Sequence, residues 1–567
     1  MQSDKASAAS RGGWVRRFLF ALPSSAALFF TFFFFGPVET VMANSASFQF
    51  GALSAVAPIM GLFALLCTAA AAALIALCRG RLYGALQAVC LGLALCLYVQ
   101  GAFLNGGIPT LSGDDADWSA WTARMIANGA VWLALLIAPF ALLRFREIWR
   151  YAAVVLPVTL FAMQLAGLAG TMATHPADRN IQTGFLTNDG LCDYSGKGDV
   201  LVFMLDRLDY SFIEAVEEKQ PGFFDRLDGF TRYDNAISQF AHTRPGMNFI
   251  LTGYDATLFR ESADDFFFHS WDDGERHILK DLKAAGFDIR LYGDIRSLLG
   301  RDYESFTPWI SNIDTSRGSI SAPLMVKRMA IMNAYRDFPT AVKQYFFCTT
   351  EDCNRVFRRG VGYDPDETVY DARMSGMTAD GGARCFRFYE FNGSHEPYRL
   401  RSDGSKSPFR TDATSQTMGC FEILLRAFDR LKQSGAYRDT AIIITADHGY
   451  MHGDYSPLEQ PARIGLFYKP AGAEGAQLAR SYAPVSLRNV PATIAKAAGL
   501  DYAAYGTPLD ETPDDTGIVR DYCRTIAVAG GRWEDARALY YDVLYDAADP
   551  DSWILRRTED IEYPLGF

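Results

Sequence analysis

The sequence predicts an α/β protein in two parts: a five-helix transmembrane domain over residues 1–170, and an extracytoplasmic domain with a mainly parallel central sheet covered by helices over 199–567, joined by a linker at 171–198. Three observations carry that prediction. The apolar residues, 49% of the 567, crowd the first third of the chain. Beyond it, short apolar runs alternate with amphipathic ones, the pattern of strands and helices that build a parallel sheet. Two of those runs end in carboxylates, where a parallel sheet gathers its ligands.

Five stretches are long and apolar enough to cross a bilayer, at about 18–38, 52–78, 82–104, 126–143 and 151–170. Lys and Arg near span ends are retained on the cytoplasmic side. Arg11, Arg16 and Arg17 precede the first stretch, Arg79 and Arg81 separate the second from the third, and Arg144, Arg146 and Arg150 separate the fourth from the fifth. The opposite connections, 39–51 and 105–124, are almost free of basic charge and include Asp114, Asp115 and Asp117. An odd number of spans with the N-terminus inside exports everything after the fifth. The first stretch is read as an uncleaved anchor, because its apolar run is long and no small-x-small cleavage site follows it.

In the exported part the run Asp199-Val200-Leu201-Val202-Phe203-Met204-Leu205 ends at Asp206, and Ala441-Ile442-Ile443-Ile444-Thr445-Ala446 ends at Asp447-His448-Gly449. Runs apolar on both faces suit central strands. Between them lies His242-Thr243-Arg244-Pro245-Gly246-Met247, which places Thr243 as a helix N-cap with Pro245 in the first turn, where the helix dipole favours an anion. Two hard oxygens, an imidazole and a hydroxyl form a site for Zn2+, or part of a larger shell for Mn2+ or Mg2+. An isolated Thr-x-Pro merely caps a helix; the two strand ends are what give this one chemistry.

These motifs resemble those of the alkaline phosphatase and sulfatase superfamily, in its membrane-anchored branch of lipoteichoic acid synthases and phosphoethanolamine transferases. There the nucleophile lies in Cys/Ser-x-Pro-x-Arg followed by an apolar turn and Leu-Thr-Gly, and Thr243 stands at that distance before Gly253. The run Ile278-Leu279-Lys280-Asp281-Leu282-Lys283-Ala284-Ala285-Gly286-Phe287 and the Asp447-His448-Gly449 signature extend the likeness over most of the chain after residue 198. Thr in place of Cys or Ser, with Gly246 after the proline, removes the formylglycine signature of true sulfatases. Asp206 stands where the lipid-dependent transferases usually place Glu.

The resemblance implies one divalent cation, Mn2+ or Zn2+ favoured and Mg2+ admissible, held by Asp206, Thr243, Asp447 and His448. It implies Thr243 as nucleophile, and His395, in Asn392-Gly393-Ser394-His395-Glu396-Pro397-Tyr398 after the strand at 385–391, as a catalytic and substrate-contacting residue. Arg244 is the candidate phosphate clamp, with a merely solvated arginine as the equal alternative. The expected activity moves a phosphoglycerol or phosphoethanolamine head group from a membrane phospholipid, through a phosphothreonine, to an envelope glycan or glycolipid. Its rivals are a sulfatase-like phosphodiesterase that uses water, and a degenerate, non-enzymatic envelope scaffold. The formal net charge of -11 gives no support to a nucleic-acid partner. Of ten cysteines, Cys348 and Cys353 are the favoured disulfide; the segment around them, 319–382, breaks the α/β rhythm as a surface-lying amphipathic piece, a lid or a domain insertion.

Overall fold

The computed structural model describes residues 2–108, 118–175, 184–254, 263–271, 277–300, 302–315, 320–357, 362–449, 462–528 and 532–561. Asp114, Asp115 and Asp117, on which part of the charge argument falls, lie outside them. The chain divides into two compact units, Met1–Thr183 with Gly318–Arg358, and Gly184–Arg317 with Arg359–Phe567. The expected linker 171–198 is thereby shared between the two units.

Among the described residues of the first unit five helices are long and apolar enough to cross a membrane: Gly13–Ala43, Ala52–Leu77, Gly80–Phe103, Thr122–Leu142 and Arg146–Thr174. Each exceeds the roughly 20 residues that span a hydrocarbon core. Arg17 Nε donates to the Ala76 carbonyl (2.8 Å) and Tyr83 Oη donates to the Arg17 carbonyl (2.8 Å), so Arg17 shares one end of the bundle with Arg79 and Arg81.

The insertion belongs to this unit. Its helix Ala322–Asp337 joins the membrane helices through apolar packing of Met325, Met329 and Met332 with Phe35, Val38 and Met60. Polar groups fix its register: Asn333 Nδ2 donates to the Phe32 carbonyl (2.9 Å), Asn105 Nδ2 to the Arg336 carbonyl (2.8 Å), and the Thr340 N–H to Asn128 Oδ1 (3.0 Å). Gly101 makes room for it, since a Cβ there would lie 2.4 Å from Asp337 Oδ1. Of the segment 319–382, residues up to Arg358 belong to this unit and those from Arg359 to the other. Cys348 and Cys353 are buried in the same cluster with their sulfurs 3.7 Å apart and unbonded.

The second unit is built on a seven-stranded sheet of β1 (Val200–Leu205), β2 (Thr231–Tyr233), β3 (Asp288–Tyr292), β4 (Cys385–Phe391), β5 (Ala441–Thr445), β6 (Phe467–Lys469) and β7 (Ala479–Ser481), in the order β7-β2-β6-β5-β1-β4-β3. Pairing is parallel except where β6 runs antiparallel to both β2 and β5. Every residue of β1 and β5 is buried, which explains why both read as unbroken apolar runs. Helix Ala413–Ser434 adds Phe421, Leu424, Phe428 and Leu431 to the core. The C-terminal tail forms an antiparallel sheet of β8 (Arg520–Val528), β9 (Arg532–Val543) and β10 (Trp553–Asp560). It docks on the segment before Thr243, where the Cys523 N–H donates to the Gln239 carbonyl (2.9 Å).

Candidate functional site

Parallel pairing of β1 with β5 sets Met204 opposite Thr445, so both strands release the chain at the same edge of the sheet. Asp206 leaves one and Asp447-His448 the other. The Asp206 N–H donates to the Phe391 carbonyl of β4 (3.1 Å), and the Asp206 carbonyl accepts from the Ser394 N–H (2.8 Å). That second bond draws the loop bearing His395 over Asp206. Gly393 permits the crossing: its φ is +61°, and a Cβ would stand 2.4 Å from the Asp206 nitrogen.

Asp447 is wholly buried. Its Oδ1 accepts the backbone N–H of Arg207 (3.1 Å) and of His448 (2.8 Å), while its Oδ2 is buried and receives no hydrogen bond. A buried carboxylate oxygen without a donor is costly, so positive charge belongs against it. His448 Nδ1 lies 2.7 Å from the Gly449 carbonyl, which can only accept; Nδ1 therefore carries the proton and Nε2 keeps its lone pair. Nε2 is 3.6 Å from Asp447 Oδ2, 3.8 Å from Asp206 Oδ1 and 3.3 Å from Thr243 Oγ1. Burial pushes this imidazole below its usual range; the Asp447 carboxylate pulls the other way, and the charges of Arg207 and His395 add to the fall. Ligand atoms of Asp206, Asp447 and His448 lie within 4.8 Å of one another. Two carboxylates facing a neutral imidazole's lone pair fit a divalent cation with O and N donors.

Thr243 opens helix Thr243–Thr252 but does not cap it. The cap is His242, whose backbone is extended and whose carbonyl accepts the Gly246 N–H (3.1 Å). The sequence places the cap one residue late because Thr is a favoured capping type and His is not. As the first helical residue, Thr243 sets its hydroxyl at the positive end of the helix dipole. Pro245 needs no N–H partner in the first turn, Met247, Phe249, Ile250 and Leu251 are buried, and Gly253 ends the helix with φ +68°.

His242 is half-buried, with its Nε2 bonded to Thr525 Oγ1 of β8. Burial, then the charges of His448, Arg524 and Arg207, push its imidazole down to about 3. His395 is half-buried, its Nδ1 2.6 Å from the Glu396 carbonyl, and it stands outside the three-residue ligand group. Arg244 is half-buried at the second helical position. His452, shortly after the Asp447-His448-Gly449 turn in the sequence, lies outside the described residues.

Two residues at this site escape a reading of the sequence. Gly246 would place a Cβ 2.6 Å from the Asp447 carbonyl oxygen, so its missing side chain is what lets the Thr243 helix reach Asp447. Arg207 has left-handed backbone, φ +61°, and is 6% exposed. A fragment repeat of known motifs cannot flag either, since both depend on contacts between distant segments.

No family model and no curated protein matches the chain. Solved structures similar to it include a protein in the alkaline phosphatase superfamily from Vibrio parahaemolyticus, at 14% identity over 65% of this chain and 81% of that one, with a TM-score of 0.37. The phosphonate monoester hydrolase of Silicibacter pomeroyi is 15% identical over 62% of this chain and 87% of its own, with a TM-score of 0.37. The lipoteichoic acid synthase LtaP from Listeria monocytogenes is 10% identical over 67% of this chain and 97% of its own, with a TM-score of 0.35.

Proposed function

We propose that the protein is a membrane-bound, metal-dependent transferase that moves a phosphate-linked lipid head group through a phosphothreonine at Thr243. The observation that carries the reading is the convergence of Asp206, Asp447 and His448 on one point, with Thr243 Oγ1 3.3 Å from His448 Nε2 at a helix N-terminus. A divalent cation held by these side chains would act as a Lewis acid, lowering the pKa of the Thr243 hydroxyl and offsetting phosphate charge.

Thr243 Oγ, its proton released to water, attacks the phosphorus of a phosphodiester. The bond from phosphorus to the diacylglycerol oxygen breaks, His395 gives that oxygen a proton, and a phosphothreonine ester remains. A hydroxyl of an envelope glycan or glycolipid, giving its proton to His395, then attacks the phosphorus; the bond to Thr243 Oγ breaks, that oxygen regains a proton from water, and the acceptor carries the phosphoglycerol or phosphoethanolamine group. Backbone dipoles at the start of helix Thr243–Thr252 favour the negative charge on the non-bridging oxygens. Arg244, the next residue, is the candidate clamp for the same anion.

Five apolar helices support a lipid donor, because a tethered domain meets head groups at high effective concentration. They also support a topology with the N-terminus cytoplasmic and the sheet domain outside: Arg17, Arg79 and Arg81 share one end of the bundle, and five crossings carry the chain to the other side. Incubating the purified protein with phosphatidylglycerol or phosphatidylethanolamine and measuring its intact mass tests the reading. The expected result is a head-group phosphate mass on Thr243 that is absent from Thr243→Ala. Undiminished activity in Thr243→Ala would sink the mechanism, and head group released only as free product would replace transfer by hydrolysis.

A further inference from the structure

Glu367 opens helix Glu367–Met374 and is 2% exposed. Burying a carboxyl is costly unless its oxygens are hydrogen-bonded. This one takes the backbone N–H of Gly393 on Oε1, at 2.5 Å, while the carbonyl of Pro365, two residues earlier, takes the N–H of Asn392 (3.0 Å). Helix Ala413–Ser434 grips the same turn through side chains: Gln416 Nε2 donates to the Gly393 carbonyl (2.9 Å), and Thr417 Oγ1 lies 2.9 Å from Ser394 Oγ. The turn so held rests on Asp206. Its Ser394 N–H donates to the Asp206 carbonyl (2.8 Å), and a Cβ on Gly393 would stand 2.4 Å from the Asp206 nitrogen. Packed backbone transmits a shift rather than absorbing it, so whatever places Gly393 also places Asp206.

We propose that Glu367 is a positioning residue of the candidate metal site, setting the place of Asp206 through the Gly393–Ser394 turn without touching the cation. This rests on the metal-dependent reading above and extends it to a residue that stands outside the ligand group of Asp206, Asp447 and His448. Groups behind the ligands of a metal commonly change its affinity or the activity by about 10–100-fold. Burial raises the Glu367 carboxyl to about 8, so near neutral pH it is chiefly the uncharged acid, which a glutamine amide matches in shape and charge.

Full-length wild type, Glu367→Met, Glu367→Gln and Leu431→Ala are titrated calorimetrically with Mn2+. Methionine fills the space of the glutamate and offers Gly393 no oxygen; Glu367→Met is expected to bind Mn2+ about tenfold more weakly or worse. Glu367→Gln, whose amide oxygen accepts the same N–H, stays close to wild type. Leu431→Ala opens a cavity in the core of the same helix as Gln416, about 22 Å further along it, and is expected to lower stability while leaving Mn2+ affinity unchanged. Wild-type affinity in Glu367→Met overturns the proposal, as does a Glu367→Gln no better than Glu367→Met or a Leu431→Ala equally weakened, since lost stability alone would then explain the fall. Should Glu367→Met not fold, Glu367→Asp, which draws the acceptor back by one carbon, carries the test: several-fold weaker Mn2+ binding is expected, and wild-type affinity overturns the proposal. Wild type that binds no Mn2+ overturns the metal-dependent reading together with it, whereas a failure confined to the variants leaves that reading standing.

Discussion

Gly246 stands against Asp447 so closely that a Cβ on the glycine would lie 2.6 Å from the aspartate's carbonyl oxygen and 3.2 Å from its Cβ. The helix carrying Thr243 and the turn carrying two of the three candidate ligands are thus in backbone contact. Backbone cannot swing aside as a side chain can, so Gly246→Ala must push the helix away from the turn. Overpacking of this kind costs about 1–3 kcal/mol of domain stability. A displacement near 1 Å at the reacting atoms costs roughly a hundredfold in rate. The expected variant folds, melts a few degrees lower by circular dichroism, and loses turnover well beyond its loss of stability. Equal turnover in Gly246→Ala would mean that the contact does not position Thr243.

Asp447 gives the next expectation. Its Oδ1 holds the backbone of Arg207 and His448, and its buried Oδ2 receives no donor. Asp447→Asn leaves an acceptor for the two N–H groups but turns the other position into an uncharged donor facing His448 Nε2. Divalent-cation affinity should fall by about a hundredfold, while the fold survives. Calorimetry with Mn2+ reads the affinity. A chelator should lower the melting temperature of wild type and leave Asp447→Asn unmoved, since a ligand at a hundred times its Kd adds about 2.7 kcal/mol.

Much of this site is legible in the sequence, for a topological reason. Asp206 and Asp447 each end an unbroken apolar run, and adjacent parallel strands release their carboxyl ends side by side, so proximity follows from pattern alone. Thr243 is legible through the proline and the apolar turn that follow it. What pattern does not carry is contact between segments. The left-handed Arg207, the Gly246 approach and the bond from Ser394 to the Asp206 carbonyl have no local signature. Helix Ala322–Asp337 is obscured for a related reason: Asn333, Arg336 and Asp337 meet Phe32, Asn105 and the space left by Gly101, all distant in the chain. β6, three residues long and antiparallel to both neighbours, is too short to show its direction.

Glu367 contributes one part of the pH response of the sheet domain. Its Oε1 accepts the Gly393 N–H (2.5 Å), and it is 2% exposed. Burial raises its carboxyl to about 8, with the Asp366 charge adding to the rise. A folded pKa above the unfolded value means that the folded state binds the proton more tightly. Its contribution is therefore fully present below about pH 4.5, the ordinary value, and is lost as pH rises towards 8. Denaturant unfolding should show the stability of wild type relative to Glu367→Gln, which is neutral throughout, falling between those limits with a slope no steeper than about 1.4 kcal/mol per pH unit. The comparison cancels the opposing contribution of the depressed imidazoles of His242 and His448; a difference that does not change with pH would assign the response elsewhere.

Cys348 and Cys353 test the orientation in the membrane. Their sulfurs are 3.7 Å apart, both residues are buried, and both pack in the cluster that joins helix Ala322–Asp337 to the first two membrane helices. A disulfide requires the sulfurs to close to about 2.0 Å, a movement that side-chain rotation can supply across five residues of turn and short helix. Two thiols then lose two protons and two electrons to an oxidising partner, such as the disulfide of a thiol oxidase, and that chemistry persists only outside the reducing cytoplasm. If this end of the bundle faces outward, protein taken from membranes under alkylating conditions should carry the pair blocked from alkylation until reduced, with a mass lower by two hydrogens. Cys348→Ser should leave Cys353 open to alkylation in denaturant without prior reduction and make the insertion more sensitive to protease, because the closed loop no longer restrains it. Both thiols alkylated without reduction in freshly isolated membranes would count against export of the insertion, and with it against the placement of the sheet domain outside the cell.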